Sequence, residues 1–243
     1  MPKYESEALI LRNFNLAEQD KIVVFFSREH GILKGVAKGA RKFNNRFGSS
    51  LEPMAAYVKI YYYLKESKEL ATISQCDVLE DFFDIQRDTK VLFTLGYFSE
   101  LIEEFIPTHP NNEILFRLLL KTLQAFKSGA DPDLLGAYFE VWFLKLNGLV
   151  PDFSQCKKCG VKLPSGGWLS PAMDGIYCEK CTPSQKEAIS PELILFLMWS
   201  KKNPPDALDN SFTPEQIREI RKVLQGIIIY HMERVPKSLL NYQ

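Results

Sequence analysis

Alternating polar and apolar positions in the first third of the chain predict β-strands. Tyr4 to Asn13 alternates in part, and the run from Lys21 to Ser27 is rich in β-branched and aromatic residues. Turn signals such as His30-Gly31 separate the runs. The predicted strands cover residues 4–13, 21–27, 32–37, 55–64 and 69–77. Five short strands favour a small closed barrel, with an OB-fold as the leading candidate and an SH3-like barrel as the alternative.

From about residue 84 the apolar positions recur at helical spacing. Thr213-Pro214 and Ser190-Pro191 are typical helix starts, and Gly129 and Gly148 are typical ends. The predicted helices cover residues 89–105, 114–126, 132–146, 193–199 and 217–234. The fold class is therefore predicted as α+β, with an OB-fold domain at residues 1–80 and a helical domain at residues 81–243. A cysteine-bearing loop at residues 153–183 is inserted in the helical domain.

Four of the five cysteines form two CxxC pairs, Cys156-x2-Cys159 and Cys178-x2-Cys181. This spacing predicts one tetrahedral zinc ion held by four thiolates. The alternatives are two disulfides or four free thiols. Disulfides are disfavoured because nothing in the chain looks secreted. Four cysteine ligands leave no open coordination position, so the predicted role of the zinc is structural.

Composition and charge are those of an ordinary globular protein, with 46% hydrophobic and 25% charged residues and a formal net charge of zero. Residues 1–50 carry nine Lys/Arg against five Asp/Glu, whereas residues 81–153 carry six against eleven. A locally basic front can still bind an anion. No apolar run approaches the length of a membrane span, and the N-terminus lacks the apolar stretch of a signal peptide. A cytoplasmic location is therefore expected.

Residues 34–50, the basic segment, contain five cations and no acid. The cations are Lys34, Lys38, Arg41, Lys42 and Arg46. Phe43 and Phe47 are interleaved with them, and glycines and asparagines predict a flexible loop. Cations that follow a phosphate backbone and aromatic rings that stack on bases are typical of single-strand binding. The alternative is a solvated loop whose two phenylalanines turn into the barrel core.

Signatures of catalysis are missing from the sequence. There are only three histidines, and none belongs to an HExxH or HxE…PCxxC pattern. No GxSxG, GxGxxG, GxxxxGK[ST] or kinase signature occurs. An enzymatic function is therefore not expected.

The motifs together resemble the bacterial DNA repair protein family RecO. They are the run Gly31-Ile-Leu-Lys-Gly-Val-Ala-Lys-Gly-Ala-Arg-Lys42 with Arg46-Phe47-Gly48, the run Leu146-Asn-Gly-Leu-Val-Pro-Asp152, and the cysteine pairs with Ser170-Pro171 and Gly175 between them. The resemblance spans nearly the whole chain. It implies a DNA-binding OB-fold, a helical domain, a structural zinc ion and a non-enzymatic recombination mediator in the cytoplasm, associated with the nucleoid.

The resemblance also implies partners and contact residues. Such proteins bind single- and double-stranded DNA, anneal complementary strands, engage the acidic tail of single-stranded DNA-binding protein, and act with RecR to help RecA load. DNA contacts carry over to Lys34, Lys38, Arg41, Lys42 and Arg46, and zinc ligation to Cys156, Cys159, Cys178 and Cys181. Arg117, Lys121 and Lys127 are candidates for the rim of a tail-binding groove. An alternative function is a zinc-ribbon module that contacts nucleic acid or protein through Lys157, Lys158, Lys162 and Lys180.

Overall fold

The N-terminal strands close into a five-stranded barrel. In the computed structural model, which describes residues 2–54, 56–64, 70–106, 112–182, 188–205 and 211–240, the strand order is β1-β2-β3-β5-β4. The strands are β1 Lys3–Leu16, β2 Asp20–Ser27, β3 Gly31–Ala37, β4 Ala56–Tyr63 and β5 Leu70–Asp81. Ala55 and Glu69, which the prediction places in strands, lie outside the described residues.

The strands pair in the order of an OB-fold barrel. Since helices follow the barrel along the chain, the predicted α+β fold class is confirmed. The long strand β1 pairs with β4 through its first half and with β2 through its second half, so that it closes the barrel. Strand β3 pairs in parallel with β5, from Lys34 opposite Leu70 to Ala37 opposite Ile73. This order, with one parallel pair, removes both sheet edges that an open five-stranded sheet would leave.

Strand β4 shows how alternation builds the barrel core. Ala56, Val58, Ile60 and Tyr62 are buried and face the interior, whereas the intervening residues are only partly buried. Gly35 on β3 allows close packing inside the barrel, because a Cβ atom there would lie 2.8 Å from Ile73 Cγ1. Phe47 and Leu51, from the connection between β3 and β4, also belong to this core.

Two helices follow the barrel, α1 Thr89–Phe105 and α2 Glu113–Lys127, after a 3₁₀ turn at Asp84–Arg87. The Asp88 side chain caps α1 by accepting from the backbone N–H groups of Lys90 and Val91. Helix α2 packs on the barrel through Phe116, whose ring centroid lies 5.5 Å from that of Phe26. The Arg28 guanidinium on the barrel donates two hydrogen bonds to the Glu113 carboxylate, at 2.8 and 2.6 Å.

The chain divides into two compact units, Met1–Lys127 with Lys237–Gln243, and Ser128–Pro236. In the first unit, the short helix α6 Lys237–Leu240 packs on α1, where Glu100 accepts from the backbone N–H groups of Lys237 and Ser238. The predicted domain boundary near residue 80 stays a prediction.

The second unit combines three helices with a small sheet. The helices are α3 Pro132–Leu146, α4 Pro191–Ser200 and α5 Pro214–Met232, and the strands are β6 Asp152–Cys156, β7 Trp168–Leu169 and β8 Gly175–Tyr177. Arg221 on α5 donates to the buried carboxylate of Glu140 on α3, whose pKa is raised by burial. No helix in the described residues has the length and apolar character needed to cross a membrane.

Candidate metal centre and nucleic-acid interface

The small sheet brings the two cysteine pairs together. Cys156 ends β6 and Cys178 directly follows β8, and these two strands are parallel neighbours. The backbone N–H of Gly160 donates to the Cys156 carbonyl at 2.8 Å, and that of Cys181 donates to the Cys178 carbonyl at 3.0 Å. Each pair therefore forms a tight turn that directs two sulfurs to the same point.

The four sulfurs lie close enough together for all of them to reach one metal ion. The Sγ atoms of Cys156, Cys159, Cys178 and Cys181 all lie within 4.8 Å of one another. The distance from Cys159 Sγ to Cys178 Sγ is 3.8 Å. A tetrahedron with Zn–S bonds of about 2.3 Å has S···S edges of about 3.8 Å, whereas a disulfide bond is about 2.05 Å long. The predicted convergence of four thiols is confirmed, and their geometry could hold a metal ion.

The pKa values of two of the clustered thiols are shifted in opposite directions. Burial raises the pKa of Cys156, but hydrogen bonds from the backbone N–H groups of Cys178, Cys159 and Lys158 outweigh it and bring the pKa to about 6. Hydrogen bonds to Cys178 and Cys159 raise the pKa of Cys181 to about 12. Four thiolates this close repel one another when no cation lies between them. A divalent ion removes that repulsion.

Two glycines allow the chain to return past the sulfur cluster. Gly166 has φ +94°, and a Cβ atom there would lie 2.2 Å from the Ile189 carbonyl oxygen. A Cβ atom at Gly167 would lie 2.7 Å from the Tyr177 carbonyl oxygen. The Ile189 N–H donates to the Gly167 carbonyl at 2.7 Å, so this close approach holds α4 to the sheet.

The five cations of the basic segment are all exposed. Lys34 lies on β3, and the other four lie in the turns that follow this strand, between residues 38 and 46. None of the five forms an ion pair with a carboxylate in the part of the chain that the structure describes. Their positive charge is therefore available to an anionic ligand.

Hydrogen bonds connect the basic segment, predicted as a flexible loop, to the residues between and at the start of the first two strands. The Arg41 N–H donates to the Gln19 carbonyl at 2.9 Å, and Arg41 Nη1 donates to the Ala17 carbonyl at 2.6 Å. The Gly39 N–H donates to Asp20 Oδ1 at 2.8 Å. Ala17 and Gln19 belong to the turn between β1 and β2, and Asp20 is the first residue of β2. Sequence reasoning missed them, because nothing local links that turn to residues about twenty positions later.

The two phenylalanines of the basic segment have opposite environments. Phe47 is buried in the barrel core, and the Arg46 guanidinium lies 4.9 Å from its ring centroid. Phe43 is fully exposed, at 101%. The solvated-loop alternative, in which both rings enter the core, is therefore wrong for Phe43 and right for Phe47.

Comparison with known proteins identifies the family. The family models "Recombination protein O N terminal" and "Recombination protein O C terminal" match residues 1–82 and 86–240. The DNA repair protein RecO of Koribacter versatilis is 33% identical over 233 residues, which are 95% of this chain and 94% of that protein. The chain belongs to the RecO family. The RecO protein of Geobacter metallireducens is 30% identical, with 98% and 96% of the two chains covered, and that of Pelotomaculum thermopropionicum is 29% identical, with 98% and 93% covered.

RecO membership assigns the chain to DNA repair and recombination. The N-terminal RecO match contains the barrel and all five cations of the basic segment, and the C-terminal match contains the four clustered cysteines. The two candidate sites thus lie in different parts of the RecO sequence.

The three cations predicted to form the rim of a tail-binding groove lie on α2 in different environments. Arg117 and Lys121 are exposed on α2, on the same helix face as Ile114, which is 63% exposed. Lys127 instead donates to the Asp81 carbonyl at 2.9 Å and lies 3.4 Å from a Glu80 carboxylate oxygen. This face of α2 therefore presents two exposed cations beside an apolar side chain, with Lys127 already engaged.

Proposed function

We propose that this protein is a non-enzymatic recombination mediator that binds DNA through the basic segment. It binds single- and double-stranded DNA, anneals complementary strands and acts with RecR to help RecA load on DNA coated by single-stranded DNA-binding protein. One observation carries the proposal: five exposed cations without carboxylate partners in the described residues stand on a hydrogen-bonded framework at one side of the barrel.

Annealing requires no catalytic group. Two DNA strands repel each other through their phosphates, and a cationic surface lowers that repulsion. Lysine and arginine side chains contact the backbone and leave base edges free to pair. The basic segment supplies such contacts independently of base sequence. The metal is proposed to be one zinc ion with a structural role, since four thiolate ligands leave no position for substrate.

The decisive experiment compares two triple variants that remove the same charge. Arg41→Ala/Lys42→Ala/Arg46→Ala removes cations from the basic segment, and Lys158→Ala/Lys162→Ala/Lys180→Ala removes cations around the cysteines. Single-strand affinity and annealing rate are measured as a function of salt. We expect the first variant to reduce the salt slope by about 2, at about 0.7 for each lost phosphate contact. The second variant should leave the slope unchanged.

An unchanged slope in the basic-segment variant would show that the DNA contacts lie elsewhere. A reduced slope in the cysteine-segment variant alone would favour the zinc-ribbon alternative. Because both variants lose three positive charges, a general electrostatic effect would change them equally. The two functions are thus separated by one measurement.

We propose that the acidic tail of single-stranded DNA-binding protein docks on α2. Ile114 offers apolar contact, and Arg117 and Lys121 offer charge. An acidic peptide with an apolar end should bind the Arg117→Ala/Lys121→Ala variant about two- to thirtyfold more weakly, because exposed charged contacts contribute about 0.2–1 kcal/mol each. Lys127→Ala is the control, since Lys127 is engaged with Glu80 and Asp81. Equal weakening by the control would contradict this location.

A further inference from the structure

Phe43 is the most exposed of the large apolar side chains in the described residues. Its exposure is 101%, whereas the next most exposed, Ile114, reaches 63%. Transfer of a large aromatic ring out of water is favourable, so full exposure of the ring is unfavourable in the free protein. The neighbouring Phe47 shows that the same segment can bury a ring in the barrel. Exposure of Phe43 is therefore specific to its position, since Phe47 in the same segment is buried.

The backbone on both sides of Phe43 takes part in hydrogen bonds within the segment. Before it, the Lys42 N–H donates to the Gly39 carbonyl at 3.0 Å. After it, Asn45 Nδ2 donates to the Lys42 carbonyl at 3.1 Å, and Asn45 Oδ1 accepts from the Phe47 N–H at 3.0 Å. The ring is thus presented from a structured turn, and a ligand that covers it need not order the backbone first.

The charges around Phe43 select the kind of ligand. Arg41, Lys42 and Arg46 are exposed close to it in the sequence, and no acid lies within residues 34–50. A ligand for this surface combines negative charge with a flat apolar face. Single-stranded nucleic acid has both, in its phosphates and its unpaired bases, whereas a duplex hides its base faces within the stack.

We propose that Phe43 stacks on an unpaired base and thereby gives the basic segment its preference for single strands. This inference rests on the proposed function of the segment as a DNA-binding surface. The cations contact phosphates in single and double strands alike, so they do not distinguish them. The ring contacts a base face, which only an unpaired base exposes.

A phenylalanine suits a protein that anneals strands. Its ring carries no hydrogen-bond donor or acceptor, so it leaves the Watson–Crick edge of the stacked base unoccupied. Every base has a π-face, and the contact is therefore tolerant of sequence. The base is held in position, and its pairing edge stays open to a complementary strand.

The test compares Phe43→Ala, Phe43→Leu and Phe43→Trp in the full-length protein. Affinities are measured for a single-stranded oligonucleotide and for the duplex of the same sequence. We expect Phe43→Ala to weaken single-strand binding about five- to a hundredfold, which is the loss found when a stacking ring is removed. Duplex affinity should change less than about twofold, and the salt slope should stay the same because no charge is removed.

The substitutions at Phe43 separate stacking from simple apolar contact. Phe43→Leu keeps most of the apolar surface without the π-face and should resemble Phe43→Ala, whereas Phe43→Trp should bind as well as the original chain. Tryptophan fluorescence in Phe43→Trp should be quenched by the single strand and not by the duplex. Phe83→Ala is the control, since Phe83 is 38% exposed and lies outside the basic segment.

Three results would overturn the proposal. They are unchanged single-strand affinity in Phe43→Ala, equal weakening for single strand and duplex, and full affinity in Phe43→Leu. Each leaves the proposed function intact if the basic-segment triple variant still loses salt-dependent binding. Because Phe43 is fully exposed, thermal unfolding of its variants should match that of the original chain, and misfolding is thereby checked directly.

Discussion

Residues 34–50 carry five Lys/Arg and no acid, whereas residues 152–182, the cysteine segment, carry four Lys and three acids. In the cysteine segment, Lys157 is ion-paired with Asp174, and a divalent ion held by four thiolates would add a charge of −2. None of the five cations of the basic segment forms an ion pair among the described residues, although Lys34 is close enough to Glu103 to act on the pKa of its carboxyl. The local balance of charges, and not the number of lysines, thus separates a candidate DNA surface from a candidate metal centre.

The two regions also differ in what holds them together. The basic segment is tied to the β1–β2 turn by hydrogen bonds and to the barrel by a buried phenylalanine. The cysteine segment has a small apolar core, in which Phe153, Leu169 and Ile176 are buried. So small a core contributes little stability by itself, and we expect a metal ion held by the four cysteines to supply the rest.

The largest effect is expected from Cys178→Ser, which removes one ligand of the metal centre. A structural zinc ion contributes on the order of 10 kcal/mol to small zinc-dependent folds. We expect loss of bound zinc and of solubility, measured by metal analysis and by sedimentation. The control is Cys76→Ser, because Cys76 lies in the barrel core and takes no part in the cluster. A stable Cys178→Ser protein with one zinc per chain would disprove a structural site of four cysteines.

The second largest effect is expected from Phe47→Ala in the basic segment. Truncating a buried phenylalanine costs about 3–5 kcal/mol, because a cavity remains in the core. Urea unfolding of Phe47→Ala should show this loss, whereas Phe43→Ala should change stability by less than about 0.5 kcal/mol. A small effect at Phe47 would mean that the barrel does not anchor the segment.

A smaller effect is expected from Asp20→Ala, which removes the acceptor of the Gly39 N–H. A hydrogen bond to a charged group contributes about 1.5–3 kcal/mol, and we expect a loss near the lower value because Asp20 is half-buried. Single-strand affinity should also fall, although the variant is more positive. Glu18→Ala is the matched control, with the same charge change on an exposed neighbour. Tighter binding by both variants would show that charge alone decides affinity.

Features that depend on neighbouring residues could be predicted from the sequence. Helix α1 runs from Thr89 to Phe105 as predicted, because apolar spacing and an N-terminal cap are local signals. The convergence of the cysteines followed from two short turns of known spacing. Strand β1 extends to Leu16, beyond the predicted end at Asn13, because its second half is paired with β2.

Features that depend on distant residues could not be predicted. Phe43 and Phe47 lie in nearly the same local sequence, and only the barrel interior decides that one is buried. The order of the basic segment comes from acceptors at residues 17, 19 and 20, which no local pattern connects with residues 39–41. The sequence showed that the segment is basic, but it did not show which hydrogen bonds connect the segment to the rest of the barrel.

The smallest effect is expected when the lysines of the cysteine segment are tested for a role in metal retention. Lys158, Lys162 and Lys180 lie on or beside the two turns that carry the cysteines, and a metal–thiolate centre of charge −2 attracts such cations. Removing all three should speed the transfer of zinc to a chelator about two- to fivefold at low salt, because exposed pairs contribute less than about 1 kcal/mol. High salt should abolish the difference, since it screens exposed charges. The basic-segment triple variant has the same net charge and should release zinc at the original rate. Equal acceleration in both variants would mean that these lysines have no local relation to the metal, and the contrast between the two regions would then rest on the basic segment alone.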